Sequence, residues 1–321
     1  MAVKNSTKDK GLRIKFGKIG VLMGGPSSER EISLKSGKAV YQALSNANLD
    51  VVAMDIQTDD IKDNIARLKS KKIDCAFIAL HGRFGEDGTI QAILEDLNIA
   101  YTGSGVEASR LAMDKAASRK VFQAHGLHVP KCEVVTRCIC VPIPLPLVVK
   151  PAAHGSSIGL SIIERQEDLD KAINLALSFD ERAIIEEYIF GREVTVGILA
   201  DEPLPVIEII PKKRFFDYEA KYQAGLTVYQ VPAKLPGAVS DALKETASLA
   251  HKALGCCGCS RVDMILNSEN IPVVLELNSI PGLTGTSLLP KAAKTLGIDF
   301  LSLCLKLLEL AYEKAQSKTP H

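Results

Sequence analysis

Arg261-Val262-Asp263, followed by Leu275-Glu276-Leu277-Asn278-Ser279-Ile280-Pro281-Gly282, reads as a β-hairpin carrying a polar cluster on one face. Side chains two apart on a strand point the same way, so Arg261 pairs with Asp263 on one strand and Glu276 with Asn278 on the other. Asn267-Ser268-Glu269-Asn270 between them is rich in turn formers. A register that brings the pairs together makes three oxygen ligands and one guanidinium converge. Hard divalent cations take that oxygen set, often shared with nucleotide phosphates, and a guanidinium beside them can stabilise an anionic intermediate. The hairpin alone leaves two readings open, a metal site or an ordinary charged strand face.

The rest of the 321-residue chain narrows the classes. A length of about 100–200 residues per domain predicts two or three domains. Hydrophobic residues at 46% and charged residues at 24% fit a globular protein. A net charge of +1 offers no basic field for nucleic acid or an anionic membrane. Met1 to Lys18 is polar and basic and lacks a secretory apolar core. No apolar run approaches the roughly 20 residues of a membrane span. The expectation is a cytoplasmic protein with no membrane partner. Of eight cysteines, Cys138 and Cys140 form a C-x-C, and Cys256, Cys257 and Cys259 cluster before the hairpin. None has the spacing of a zinc site, so buried thiols in a reducing compartment are expected.

The first region predicts α/β structure. Lys18 to Met23 is an apolar strand entering Gly24-Gly25-Pro26-Ser27-Ser28. Ile32, Leu34, Ala39, Val40, Ala43 and Leu44 then mark a helix face. Val51 to Met54 and Ile73 to Leu80 are further strands, the latter ending at His81-Gly82-Arg83-Phe84-Gly85-Glu86-Asp87-Gly88. Alternating strands and helices predict a parallel sheet, with ligands at the strands' carboxyl ends. Next come a helix around Met113-Asp114-Lys115 and strands over Leu147 to Lys150, Ile158 to Ile163 and Ala183 to Glu187. The hairpin follows, with helices near Val239 to Leu254 and from about Phe300 to Ala315.

No Walker-type loop and no G-x-G-x-x-G turn occurs. His154-Gly155-Ser156-Ser157-Ile158-Gly159 has small residues whose N–H groups can close over phosphate, and Lys150 can meet the same phosphates as a point charge. A flexible loop with a surface lysine is the plainer alternative. Glu186, Glu187 and Glu193 are either solvated acids or partners for an adenine amine and ribose hydroxyls. Glu29 is either favourable charge at a helix start or a partner for a substrate ammonium. Asp217-Tyr218-Glu219-Ala220-Lys221-Tyr222 suits an active-site lid. Ser287-Leu288-Leu289-Pro290 opens a helix whose N-terminus can receive a carboxylate.

Together these segments, with Tyr101-Thr102-Gly103-Ser104-Gly105 and Pro281-Gly282-Leu283-Thr284, resemble the D-alanine–D-alanine ligases of the ATP-grasp superfamily from about Ile19 to Leu310. The resemblance implies a three-domain α/β architecture, with an N-terminal parallel α/β domain and nucleotide held between central and C-terminal domains. It divides the chain into an extension (1–17), a substrate domain (18–103), a central subdomain (104–190), a metal-bearing subdomain (191–316) and a tail (317–321). It implies that ATP and two Mg²⁺ ions, or Mn²⁺, serve the ligation of two D-alanine molecules through an acylphosphate, in a homodimer that supplies peptidoglycan precursors.

The implied roles follow residue by residue. Lys115 and Lys150 contact ATP phosphates under the Ser156-Ser157 loop. Glu186 and Glu193 hold adenine and ribose, helped by the backbone near Glu187 and Ile189. Asp263, Glu276 and Asn278 bind metal. Glu29 takes the first ammonium, in a group with Ser156 and Tyr222, and His81 takes the first carboxylate. Arg261 and the Gly282 amide stabilise the oxyanion. Lys221 and Ser287, with Leu288 beside it, bind the second carboxylate. Tyr222 favours a dipeptide product over a D-alanine–D-lactate one. A binding module without turnover is the reading from another class, and the complete metal trio with Arg261 argues against it. The chain departs from the family's pattern between Thr136 and Leu147, where three prolines fill a shortened segment.

Overall fold

The computed structural model describes residues 16–139, 141–211 and 227–317. Among these residues the strands form three sheets. The first is parallel, in the order β2-β1-β3-β4, built from β1 (Ile19–Gly24), β2 (Val51–Ile56), β3 (Cys75–Ile78) and β4 (Ala100–Tyr101). β1 is buried along its whole length, as a central parallel strand covered on both faces must be. Its crossovers run through α1 (Arg30–Asn46), α2 (Ile61–Lys71) and α3 (Thr89–Asp96). Both glycine-rich segments lie at the carboxyl ends of β1 and β3.

The sequence reading of one helix around Met113-Asp114-Lys115 needs correction. The chain forms α4 (Val106–Met113) and α5 (Lys115–Ala124), and Asp114 at the junction is extended. The Asp114 carboxylate accepts hydrogen bonds from Ala116 N and Ala117 N, both at 3.0 Å, and so caps the helix that begins with Lys115.

The second sheet is antiparallel, in the order β5-β8-β6-β7, from β5 (Cys132–Val135), β6 (Leu147–Pro151), β7 (Ser161–Ile163) and β8 (Ala183–Glu187), with α6 (Leu169–Leu177) packed on it. β7 is shorter than the expected strand from Ile158, because Gly155 to Ile158 close a turn first.

The third sheet is antiparallel, in the order β12-β11-β9-β13-β14, with β10 (Glu202–Pro203) on β9. Its strands are β9 (Gly191–Leu199), β11 (Ile207–Pro211), β12 (Thr227–Gln230), β13 (Cys259–Asn267) and β14 (Pro272–Asn278). Helix α7 (Gly237–Ala253) covers one face, where Leu243 and Ala247 meet Val196 and Val262.

Chain order and core do not divide alike. Helices α4 and α5 place Ala108, Ala112 and Phe122 in the core under the third sheet. The closing helices α8 (Leu288–Thr295) and α9 (Phe300–Ser317) return to the first sheet, where Leu303, Leu307 and Leu308 share a core with Ile19, Val40 and the fully buried Phe16. Cys75, Cys256, Cys259 and Cys304 are buried in these cores, and burial pushes each thiol up to about 12. No helix among the described residues is long and apolar enough to cross a membrane.

Candidate active site

A cleft of about 1080 Å³ opens where the three sheets meet. Every candidate named from the sequence that falls within the described residues lines it. Lys221 and Tyr222 lie outside the described residues.

The β13–β14 hairpin supplies one wall. Its register sets Arg261 opposite Asn278 and Asp263 opposite Glu276, so all four side chains share the cleft face. A bulge follows, because Met264 pairs with Val274 and Leu275 is the extra residue. Arg261 forks onto Asp263, with Nε 2.8 Å from Oδ1 and Nη2 2.7 Å from Oδ2. Thr195 on β9 donates to Asp263 Oδ1 at 2.6 Å, and Asn278 Nδ2 donates to Oδ2 at 3.1 Å. Lys115 Nζ sits 3.3 Å from Glu276 Oε2 and donates to the His154 carbonyl at 2.7 Å. Two carboxylates and a carboxamide oxygen form a hard donor set, which fits a divalent cation of the Mg²⁺ type. Here cationic side chains balance the two carboxylates.

A second wall carries a buried charge cluster. Lys150 is the residue before the last of β6 and lies 2.9 Å from Glu186 Oε1. Arg119 donates to the other oxygen of Glu186. All three side chains are under 10% exposed. Burial alone would raise the Glu186 carboxyl; Arg119, then Lys150, hold it below the usual range. Burial pulls the Lys150 ammonium down, against the attraction of Glu186. The Glu186 carboxylate therefore holds Lys150 in place while lining the cleft. Glu187 is tied back as well, since its Oε1 accepts from Lys131 N at 2.8 Å. Sequence reading missed Arg119. The signal was present, because Arg119 is one helical turn beyond Lys115 and so shares its face.

Glu29 faces the third group. It precedes α1 but makes no side-chain cap. Its Oε1 accepts from the Ser156 hydroxyl. Its Oε2 is buried with no hydrogen-bond partner among the described residues. Burial pushes the carboxyl above its ordinary range and Glu86 adds to this, while Ser156 and His81 oppose it. Two glycines make room. A Cβ at Gly155 would stand 2.7 Å from Glu29 Oε2, and one at Gly82 would stand 3.0 Å away. Ser156 and Ser157 both have φ of +56°, and Ile158 N bonds the Gly155 carbonyl at 3.2 Å. Two central residues at positive φ are the type I′ pattern, unusual without glycine or asparagine. His81 is buried three residues beyond β3, with Nδ1 4.0 Å from Glu86 Oε1. Glu86 itself accepts from Gly82 N at 2.9 Å, an acid in the quoted motif to which no role was assigned from sequence.

Ser287 precedes α8, as expected, but its hydroxyl turns to Thr284, accepting from Thr284 N at 3.0 Å and lying 2.8 Å from Thr284 Oγ1. A Cβ at Gly282 would stand 3.0 Å from that hydroxyl. The 282–288 loop thus closes on itself at the cleft rim.

Comparison with known proteins decides the family. The model of the D-ala D-ala ligase C-terminus matches residues 116–309, and that of the N-terminus matches 18–66 and 57–104. The chain belongs to the D-alanine–D-alanine ligase family. It is 48% identical over 312 residues to the D-alanine–D-alanine ligase of Pelotomaculum thermopropionicum, covering 92% of this chain and 97% of that one. The Bacillus anthracis D-alanine–D-alanine ligase, solved in complex with ATP, superposes with a TM-score of 0.83 at 32% identity, over 94% of this chain and 99% of that one. The VanG D-Ala:D-Ser ligase of Enterococcus faecalis superposes with a TM-score of 0.77 at 31% identity, over 92% and 99%. The three-sheet ATP-grasp architecture agrees with these relatives, as does an ATP-dependent ligase activity class with divalent-metal use.

Proposed function

We propose that this chain joins two D-alanine molecules to D-alanyl-D-alanine, using ATP and passing through D-alanyl phosphate, for peptidoglycan precursor synthesis. One observation carries the reading. The buried Glu29 oxygen, without a hydrogen-bond partner among the described residues, is an anionic socket in the same cleft as the Lys115, Lys150 and Arg261 cations. An α-ammonium fits the socket, and its carboxylate is then held near the groups that suit a triphosphate.

A carboxylate is a poor electrophile, so the first amino acid needs a leaving group before an amine can attack. Phosphoryl transfer depends chiefly on positioning and charge neutralisation. In this reading Glu29 binds the first ammonium, and His81 orients the first carboxylate. Lys115 and Lys150 neutralise phosphate oxygens, with Lys150 held in place by Glu186. Ser156 and Ser157 close the loop that excludes water from the acylphosphate. Arg261 and the Gly282 amide stabilise the tetrahedral oxyanion. Ser287, beside Leu288, with Lys221 receives the second carboxylate, and Tyr222 joins the Glu29–Ser156 pair. Glu186 and Glu193, helped by the backbone at Glu187 and Ile189, face the nucleoside. Asp263, Glu276 and Asn278 hold two Mg²⁺ ions, which supply charge neutralisation and alignment when bound. The division of the chain near residues 104 and 190, a homodimeric assembly and a cytoplasmic location belong to the same reading.

The test is phosphate release with ATP and Mg²⁺ over a panel of second substrates: D-alanine, D-serine and D-lactate. The expected result is fastest turnover with D-alanine. Equal or faster turnover with D-lactate or D-serine at neutral pH would overturn the substrate assignment.

A further inference from the structure

Ser36 lies on the inward face of α1 with Ser33, Gly37, Val40 and Leu44, and is fully buried. A buried hydroxyl is costly unless it is hydrogen-bonded. The Ser36 Oγ lies 3.2 Å from His81 Nε2. It also accepts from Leu283 N at 3.3 Å. One hydroxyl on a helix of the first sheet therefore touches two segments at once. One is the histidine just beyond β3. The other is the loop after β14, one residue beyond Gly282.

The donor arithmetic constrains the histidine. A backbone N–H only donates, so the Leu283 bond uses an oxygen lone pair and leaves the Ser36 hydrogen free. The neighbouring acceptor for that hydrogen is His81 Nε2. A neutral ring that accepts at Nε2 carries its own proton on Nδ1. That nitrogen is on the Glu86 side of the ring, 4.0 Å from Oε1, too far for a direct hydrogen bond. The His81 backbone is held independently, since its carbonyl accepts from Ser27 Oγ at 2.6 Å.

We propose that Ser36 is a positioning residue: its hydroxyl fixes the neutral form of His81 as the Nδ1–H tautomer aimed into the first-substrate pocket, and the same oxygen anchors the Leu283 amide beside Gly282. The inference rests on the reading in which His81 meets the first D-alanine carboxylate and Gly282 the oxyanion. It ties the first-substrate donor and the oxyanion loop to one atom of α1. A donor fixed before substrate arrives needs no reorganisation on binding.

The experiment has a part that needs no turnover. In the full-length protein labelled with ¹⁵N-histidine, the His81 ring is assigned by its loss in His81→Ala. At a pH where the ring is neutral, the expected wild-type tautomer has a pyrrole-type Nδ1 and a pyridine-type Nε2. In Ser36→Ala the tautomer preference shifts toward Nε2–H. The KM for the first D-alanine rises roughly 3- to 10-fold, the worth of one neutral hydrogen bond. A double-mutant cycle separates positioning from general destabilisation: in a His81→Ala background, Ser36→Ala no longer raises that KM. A wild-type Nε2–H ring overturns the proposal, as does an unchanged Ser36→Ala spectrum or a fully additive cycle. Should Ser36→Ala fail to fold, the wild-type spectrum alone decides the tautomer. An Nδ1–H ring in a protein that makes no dipeptide would support the Ser36–His81 arrangement and count against the ligase reading instead.

Discussion

Gly155→Ala places one methyl group against the Glu29 carboxylate. An ideal Cβ there stands 2.7 Å from Oε2, 3.3 Å from Cδ and 3.4 Å from Oε1. The carboxylate is buried and bonded to Ser156 of the same loop, so it does not move away freely. The backbone at Gly155 is not in the left-handed region, so the effect is steric contact rather than φ strain. The loop yields instead, and the bond from Ser156 to Glu29 is lost. A hydrogen bond to a charged group is worth about 1.5–3 kcal/mol. Converted at about 1.4 kcal/mol per tenfold, kcat/KM for D-alanine falls roughly 10- to 150-fold. Steady-state phosphate release at saturating ATP reads the loss. Thermal unfolding shows whether the fold is intact, since only a half-buried loop is touched. Gly237→Ala is the control: a Cβ there meets nothing within 4 Å and its φ is ordinary. Gly155→Ala activity within twofold of the unmodified protein, at unchanged Tm, would refute the claim that the loop must close on Glu29.

Three other outcomes follow from the same geometry. Asp114→Ala removes the cap on α5 and the 2.8 Å ion pair to Arg182, costing about 1 kcal/mol in urea unfolding at neutral pH. Burial works to raise the Asp114 carboxyl, but Arg182 and the capping N–H groups hold it low. Its stabilisation is thus complete above the unfolded pKa and lost as pH falls through the folded one, so the difference should vanish in strong acid; a constant gap contradicts this. Glu186→Gln leaves Arg119 and Lys150 buried without a counter-charge, a loss of about 3–5 kcal/mol in denaturant unfolding. A loss under about 1 kcal/mol would show that the cluster is already hydrated. Burial raises the Glu29 carboxyl, so the native state holds that proton more tightly than the unfolded chain. Stability of the substrate-free protein relative to Glu29→Gln therefore falls as pH rises from the unfolded to the folded pKa. Paired Tm measurements across that window test the sign, and a flat difference contradicts it.

The hairpin was legible because strand periodicity is strict. Once Asp263 and Glu276 are opposed, Arg261 and Asn278 follow on the same face with no knowledge of the rest of the chain. The parallel first sheet was legible for another reason, the alternation of apolar strands with helices along the chain. The engagement of Glu186 was not, because its partner Arg119 lies 67 residues earlier on a helix of a different layer. The return of α9 to the first sheet is likewise a long-range choice. Its apolar face fits any core, and only the assembled fold shows Tyr312 donating to the Phe16 carbonyl at 2.5 Å. The break at Asp114 was readable in principle. Asp before Lys-Ala-Ala is a cap signature, masked by apolar periodicity running through both helices.

The central claim is that this cleft activates a carboxylate by moving a phosphoryl group onto it. The direct measurement uses D-alanine carrying ¹⁸O in its carboxylate, with ATP and Mg²⁺, and mass analysis of the phosphate released. The account predicts one ¹⁸O atom transferred from the amino acid to each phosphate formed with dipeptide. Dipeptide formed with phosphate free of the label would contradict it.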